Sequence, residues 1–370
     1  MKGLDQIGEI TGKTILLRAD FNVPIQKSKV IDDRRIMAAL PTIRFLLSKG
    51  AKIITVSHIE MEGEDTLRPV FNEIKNILPI IFVEANLEEI RKAKRELQNG
   101  QILLVDNIRY FKGEKENYEE FAKEFSALAD IYVNEAFPVS HRNHASIVGF
   151  PKFLPAFFGF QFQKEIQELS HAFNPAHPFL FILGGAKFET KEPLISKFLD
   201  IADFVFVGGA LGNDFFKAKG FEVGGSITSG KIPPAEILNN SKIIIPSDVV
   251  VRATDNRHVV RSQRDILTHE IVSDAGPKTL EVLRKHIMQA RMVLWNGPLG
   301  FYEKGFDAGT KEVALMLSKS RARSIVGGGD TTAAIENLGV ADKFSFISTG
   351  GGAMLEFLAK GTLPGIEALK

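Results

Sequence analysis

Short runs of consecutive apolar residues recur along the chain, and each ends in a polar or glycine-rich cluster. In the first half the runs are TILLRADFN (14–22), AKIITVSH (51–58), QILLVDNIRY (101–110) and IYVNEAF (131–137). In the second half they are FLFILGGAK (179–187), FVFVGGA (204–210), KIIIPSDVVV (242–251), MVLWNGP (292–298), SIVGGGD (324–330) and FSFISTGGG (344–352). Unbroken Val, Ile, Leu and Phe, rather than strict alternation, predicts strands buried on both faces of a parallel sheet. Between the runs, segments such as ENYEEFAKEFSALAD (116–130) and AGPKTLEVLRKHIMQA (275–290) carry apolar positions three and four apart. That period predicts amphipathic helices, and strand–helix alternation predicts an α/β fold.

Ten runs are too many for one comfortable open sheet, so two lobes are expected, each a mainly parallel sheet wrapped by helices in three αβα layers. The stretch 149–178 begins and ends in Pro/Gly-rich turns and holds one helix-like run, Gln161 to Phe173. It predicts a helix joining a first lobe (1–157) to a second (174–357), with 158–173 as the connector. In open parallel sheets ligands bind beyond the C-terminal strand ends, so the chemistry should follow each apolar run.

Composition narrows the chemistry. The 370 residues carry 46 Lys+Arg against 45 Asp+Glu, so no overall basic field draws nucleic acid or an anionic membrane. Cysteine is absent, which excludes disulfides, thiolate catalysis and Cys-ligated metals. The opening MKGLDQIGEI lacks the apolar core of a signal peptide, and runs such as FLFIL are far shorter than the ~20 residues of a bilayer span. A soluble, cytoplasmic protein is expected.

The two halves differ at their strand ends. After the first-half runs stand Asp20, Phe21 and Asn22, then His58, Arg109 and the group His141-Arg142-His144, while Arg34 and Arg35 precede a helix-like run. Arginine forks make paired charge-assisted hydrogen bonds to phosphate or carboxylate, so several at one edge predict a small anionic ligand. Ordinary salt bridges with nearby acids are the competing reading of each arginine taken singly. His141 and His144 have no evident third ligand for a metal and fit the anion site or a turn better.

The second-half ends are glycine turns: GGAKFETK (184–191), GGALGND (208–214), NGPLGFYE (296–303), GGGDTT (327–332) and TGGGA (349–353). Glycine lets backbone N–H groups approach phosphate, and a following helix N-terminus adds a favourable dipole. Five such turns on one edge predict a nucleotide, although tight strand-to-helix turns require glycine in any case. No strand is followed by G-x-G-x-x-G, and Gly8–Thr14 is one residue short of a phosphate loop and precedes a strand. Lys187 and Lys191 lie four apart, on one face if that turn opens a helix. Asp330 within a glycine turn suits the magnesium of a nucleotide phosphate, and equally suits a helix cap.

These segments resemble the phosphoglycerate kinase family over essentially the whole chain. RADFNVP (18–24), RIMAALPTI (35–43), DNIRY (106–110), NEAFPVSHRNHAS (134–146), GGAK (184–187), WNGPLGFYEKGFDAGT (295–310), GGGDTTAA (327–334) and STGGGAMLEFLAKGTLPG (348–365) are similar to its signature segments, in order. The resemblance implies phosphoryl transfer between 1,3-bisphosphoglycerate and ADP, with phosphoglycerate on the first lobe and the magnesium nucleotide on the second. It implies Asp20, Phe21, Asn22, Arg35, His58, Arg109 and Arg142 around the glycerate. Lys187 would meet the transferring group, Lys191 the nucleotide phosphates, Glu303 the ribose, Asp330 the Mg2+, and Gly328, Gly329 and Thr331 a phosphate. Gly350, Gly351 and Gly352 would present a helix N-terminus to the transferring group, with Arg35 and Lys187 sharing the catalytic charge. A tail from about 358 to 370 would pack back on the first lobe. The partners implied are ATP/ADP and phosphoglycerate alone, for a monomeric enzyme with neither nucleic acid nor membrane.

One segment departs from the pattern. The family follows its histidine with Leu-Gly-Arg-Pro, whereas His58 is followed by Ile59-Glu60-Met61-Glu62. An arginine expected at the substrate phosphate is missing and two acids stand nearby, which opens two alternatives: a degenerate, kinase-like binding protein, or a kinase for another phosphorylated carboxylic acid. Phe346 stands where a histidine is common.

Overall fold

The computed structural model describes residues 2–60, 63, 65–186 and 188–370; Lys187 and the Met61-Glu62 pair of the altered segment lie outside the described residues. The chain divides into two units, Met1–Gln167 with Lys360–Lys370, and Glu168–Ala359. The division falls inside the helix Phe160–Ser170, the run expected to connect two lobes.

The first unit is built on a six-stranded parallel sheet in the order Ile80–Val83, Ile102–Val105, Lys52–Val56, Thr14–Arg18, Ile131–Asn134, Ala156–Phe158. The strands Thr14–Arg18, Ile102–Val105 and Ile131–Asn134 are buried along their whole length, which is why their sequences show no alternation. The helix Arg34–Ser48 lays Ile36, Leu40, Ile43 and Leu46 into the same core as Ile15, Leu17 and Ile53. Residues from Lys360 onward belong to this unit, where the Gly365 N–H donates to Ser140 O at 2.8 Å. A Cβ at Gly365 would lie 2.7 Å from the Ser140 Cβ, so glycine permits that approach.

The second unit holds another six-stranded parallel sheet, in the order Ile243–Ile244, Phe204–Val207, Phe179–Leu183, Met292–Asn296, Arg323–Gly327, Phe346–Ile347. Trp295 at its centre has no exposed surface and donates its indole N–H to Gly297 O at 3.0 Å.

Two features differ from the reading of the sequence. The run KIIIPSDVVV is two strands: Ile243–Ile244 closes the edge of the parallel sheet, and Asp248–Arg252 enters a separate antiparallel sheet between His258–Ser262 and Ile271–Ala275. Pro246 lies between them and has no N–H to continue the parallel ladder. The expected helix over 116–130 is limited to Glu119–Ser126, because Asn117 takes a left-handed φ of 54° that a helix cannot contain.

Candidate active site

The first-unit edge is assembled around two strand ends. Arg18 closes the strand Thr14–Arg18, and His58 follows Lys52–Val56, its parallel neighbour. Arg18 is 1% exposed; its Nε donates to Ser146 Oγ at 2.9 Å and its Nη2 faces His58 Nδ1 at 3.2 Å. Ser146 donates its hydroxyl to Glu114 Oε1 at 2.6 Å and its N–H to Oε2 at 2.8 Å. A buried chain Glu114–Ser146–Arg18–His58 results.

That chain sets the histidine tautomer. A guanidinium only donates, so Nδ1 accepts and the neutral ring carries its proton on Nε2. Burial holds the His58 imidazole well below its usual range, and Arg18, Arg109 and Arg35 push the same way. Near neutral pH His58 is therefore an uncharged donor. His144, brought down to about 4 by burial first and then by Arg109, is neutral there too.

Arg35, in the first turn of the helix Arg34–Ser48, pairs with Asp20 Oδ2 at 3.1 Å and donates to Asn22 O at 3.0 Å. Asn22 Oδ1 accepts the Glu60 N–H at 3.1 Å. Arg109 makes a close ion pair with Glu60, and its Nε is buried with no hydrogen-bond acceptor. Arg142 is solvent-exposed and adds to the positive field that lowers the Glu60 carboxyl, after the hydrogen bond from Arg109.

On the second unit, the glycine turns fall into two kinds. The first three are packed backbone against backbone: a Cβ on Gly184 would lie 2.1 Å from Pro298 O, and one on Gly209 2.7 Å from Gly185 N. Their N–H groups are already used, Gly184 to Asn296 O at 2.9 Å, Gly185 to Pro298 O at 3.1 Å and Gly208 to Leu183 O at 2.8 Å. The other two turns are open at Gly329 and Gly351. A Cβ on Gly329 or Gly351 would meet nothing within 4 Å, and each turn leads into a helix, Gly329–Asn337 or Gly352–Lys360. The first-turn N–H groups of those helices lack intrahelical acceptors and face an anion naturally.

Gly328, with φ 104°, sets the first open turn, and behind it Thr331 Oγ1 is buried without a hydrogen-bond partner. Asp330 is half-buried; burial raises its carboxyl, and Glu303 adds like-charge repulsion. Glu303 itself is exposed on the short helix Tyr302–Lys304.

A model of the family described as phosphoglycerate kinase matches residues 4–361. The chain belongs to the phosphoglycerate kinase family. It is 41% identical to the phosphoglycerate kinase of Dictyoglomus turgidum over 382 residues, covering 98% of this chain and 96% of that one. It is 40% identical to that of Clostridium botulinum over 391 residues, covering 100% and 98%. Among solved structures it is similar to phosphoglycerate kinase from Pyrococcus horikoshii (TM-score 0.86, 31% identity, 100% and 98% covered) and from Coxiella burnetii (0.82, 34%, 99% and 98%).

Within this phosphoglycerate kinase fold, the side chains of Asp20, Asn22, Arg35, His58 and Arg109 stand at one sheet edge, as the strand-end rule anticipates. Two residues are placed differently from what the resemblance implies. Phe21 is a core side chain whose N–H donates to Ser57 Oγ at 2.8 Å. The Lys191 ammonium is buried beneath the glycine turns, donating to Gly184 O at 2.6 Å and Asn296 Oδ1 at 3.2 Å. Burial draws it down to about 8. It therefore holds the turn in shape rather than extending from it. Arg68 does not replace the missing arginine: it pairs with Glu84 at 2.6 Å and stacks over Phe82.

The reading of the sequence passed over Arg18, Ser146 and Glu114. A charged residue closing a wholly buried strand was the available signal for Arg18. It also passed over Asp106 and Asn107, which anchor the loop after His58. Asn107 Nδ2 donates to Ile59 O and Asp65 O, each at 2.8 Å, and Asp106 Oδ1 accepts the Leu67 N–H at 2.6 Å.

Asp274 holds the first turn of the helix Ala308–Ser318, accepting the Gly309 N–H at 2.9 Å, and accepts the Ala275 N–H at 2.8 Å. Burial pushes its carboxyl up to about 6, against those two donors. A raised folded value means the stabilising proton is held at low pH. The contribution is complete below the unfolded value near 4 and is lost as pH rises through 6, an effect of about 2–3 kcal/mol. Urea midpoints followed by Trp295 fluorescence, which reports the same unit, should fall between pH 4 and pH 7; in Asp274→Asn that slope should flatten.

Proposed function

We propose that the first unit holds phosphoglycerate and the second the magnesium nucleotide, for reversible transfer of a phosphoryl group between 1,3-bisphosphoglycerate and ADP. The chain is a kinase of the phosphoglycerate kinase family, with ATP/ADP and phosphoglycerate as substrates. The observation that carries the assignment of the units is the contrast of their sheet edges. Arg35, Arg109 and the neutral donor His58 gather on one, and open glycine turns leading into helices stand on the other.

In the direction of ATP use, a carboxylate oxygen of 3-phosphoglycerate attacks the γ-phosphorus as the bond to the ADP oxygen breaks, in line and without a phosphoenzyme. The attacking group is already a carboxylate, so no general base is required. Arg35 and Lys187 neutralise the transferring charge, and the helix end at Gly350 and Gly351 adds its dipole. His58, Arg109, Arg142, Asp20 and Asn22 orient the glycerate. Gly328, Gly329 and Thr331 receive nucleotide phosphates, Glu303 the ribose hydroxyls, and Lys191 keeps the Gly184-Gly185 turn in shape. Transfer requires the bound substrates to meet, so the units must bring them together and expel water.

Asp330 fits a magnesium site. It is a half-buried carboxylate repelled by Glu303, and beside it is a buried hydroxyl without a partner. Among the described residues there is no cluster of three His, Asp or Glu ligands, so phosphate oxygens and water would complete the shell. When bound, Mg2+ supplies positive charge that offsets the phosphate oxygens. Among the described residues no helix is long and apolar enough to cross a membrane. A monomeric cytoplasmic enzyme completes the proposal.

ATP-dependent phosphorylation of 3-phosphoglycerate with Mg2+, followed in a coupled assay, tests this reading. Saturable turnover is expected. No turnover from protein that still binds ADP overturns the substrate assignment.

A further inference from the structure

The altered segment after His58 puts an acid where the anion-binding arginines converge. Glu60 makes a close ion pair with Arg109, and Lys115 Nζ lies 3.8 Å from its other carboxylate oxygen. The backbone around it is tethered: its own N–H donates to Asn22 Oδ1 at 3.1 Å, and Ile59 O accepts from Asn107 Nδ2 at 2.8 Å. Arg109 is 12% exposed along its side chain whereas Glu60 is 64% exposed. The arginine is thus fixed in the site, and the acid reaches it from a surface position with room to withdraw. A tethered carboxylate has a high effective concentration at its partner, but an ion pair whose acid is solvated is only weakly favourable.

We propose that Glu60 is an internal competitor for the phosphoglycerate seat: its carboxylate occupies Arg109 and must yield it to the anionic group of the substrate. The inference rests on the phosphoglycerate reading above. Glu60 is a specificity-determining residue in this scheme. It raises the concentration of phosphoglycerate needed and penalises weakly charged acids that cannot displace it. The competition acts before chemistry and on one substrate, so it bears on phosphoglycerate affinity and leaves kcat and the nucleotide alone. Apparent affinity scales with the fraction of protein whose arginine is free, and for a weak ion pair that factor is roughly two- to tenfold.

The test is calorimetric titration of 3-phosphoglycerate into the full chain and into Glu60→Gln and Glu60→Ala, with steady-state KM and kcat alongside. Both variants should bind phosphoglycerate roughly two- to tenfold more tightly, with KM falling in step and the KM for ATP unchanged. Equal or weaker binding by the variants overturns the competitor role while leaving the substrate reading intact. Tightening in Glu60→Ala alone would make the effect steric and overturns it too. Absence of phosphoglycerate binding in all three proteins removes the substrate reading together with this inference.

Discussion

Arg35→Met is expected to lower kcat by about two to three orders of magnitude while the KM for ATP stays near its original value. The guanidinium is held in the first turn of its helix, with Nη1 shared between Asp20 Oδ2 at 3.1 Å and Asn22 O at 3.0 Å. It is about one-third exposed, and so has further donors to offer a ligand. Charge building on a phosphoryl group in flight is met most strongly by a donor already in position, because no reorganisation is then required. Methionine keeps the apolar stem and removes the fork. Arg35→Lys keeps the charge without the paired geometry and should recover only part of the loss. Steady-state kinetics in both substrates decides the matter. A rise in phosphoglycerate KM with kcat intact would make Arg35 a ground-state binder only.

Arg18→Met is expected to destabilise the first unit by about 3–5 kcal/mol, the cost of leaving one partner of a buried charged network uncompensated. Glu114 has no exposed surface, and burial raises its carboxyl while Arg18 is the first influence opposing that rise. Without the guanidinium, Glu114 must take up a proton or keep a buried charge facing Ser146 and the neutral His144. His58 also loses the donor that fixes its tautomer. Far-UV circular dichroism should show a thermal midpoint lower by roughly 6–20 °C for a unit of this size. Adding Glu114→Gln should restore a large part of the stability, since it removes the stranded charge. An additive loss in the double variant would mean the two residues are not coupled. Phosphoglycerate affinity should fall in Arg18→Met and stay low in the double variant, because His58 is still unsupported.

The parts of this molecule that could be read along the chain are those governed by local pattern. Unbroken apolar runs announced both parallel sheets, since a strand covered on both faces has no reason to alternate. The antiparallel sheet of Asp248–Arg252, His258–Ser262 and Ile271–Ala275 was not announced. Its strand His258–Ser262 is half-exposed and polar, so its pattern resembles a loop. Arginines after the first-half strands and glycines after the second-half strands were visible because the C-terminal edge of a parallel sheet is where ligands bind.

The amino-acid sequence by itself therefore determined the family, the two α/β sheets and the division of arginine and glycine chemistry between them. The sheets and that division follow from residue type and spacing, and the family from the resemblance of its motif segments. Tertiary structure decided which of those groups are free to act. Lys191 donates to Gly184 O and Asn296 Oδ1, the latter 105 residues away. Three of the glycine turns pack on one another backbone against backbone, and two do not. Arg109 meets Glu60 across 49 residues of chain, and Arg18 reaches Ser146 across 128. A closer partner lowers the availability of a charge or a donor to a ligand, and partners so distant in sequence become neighbours only when the sheets form.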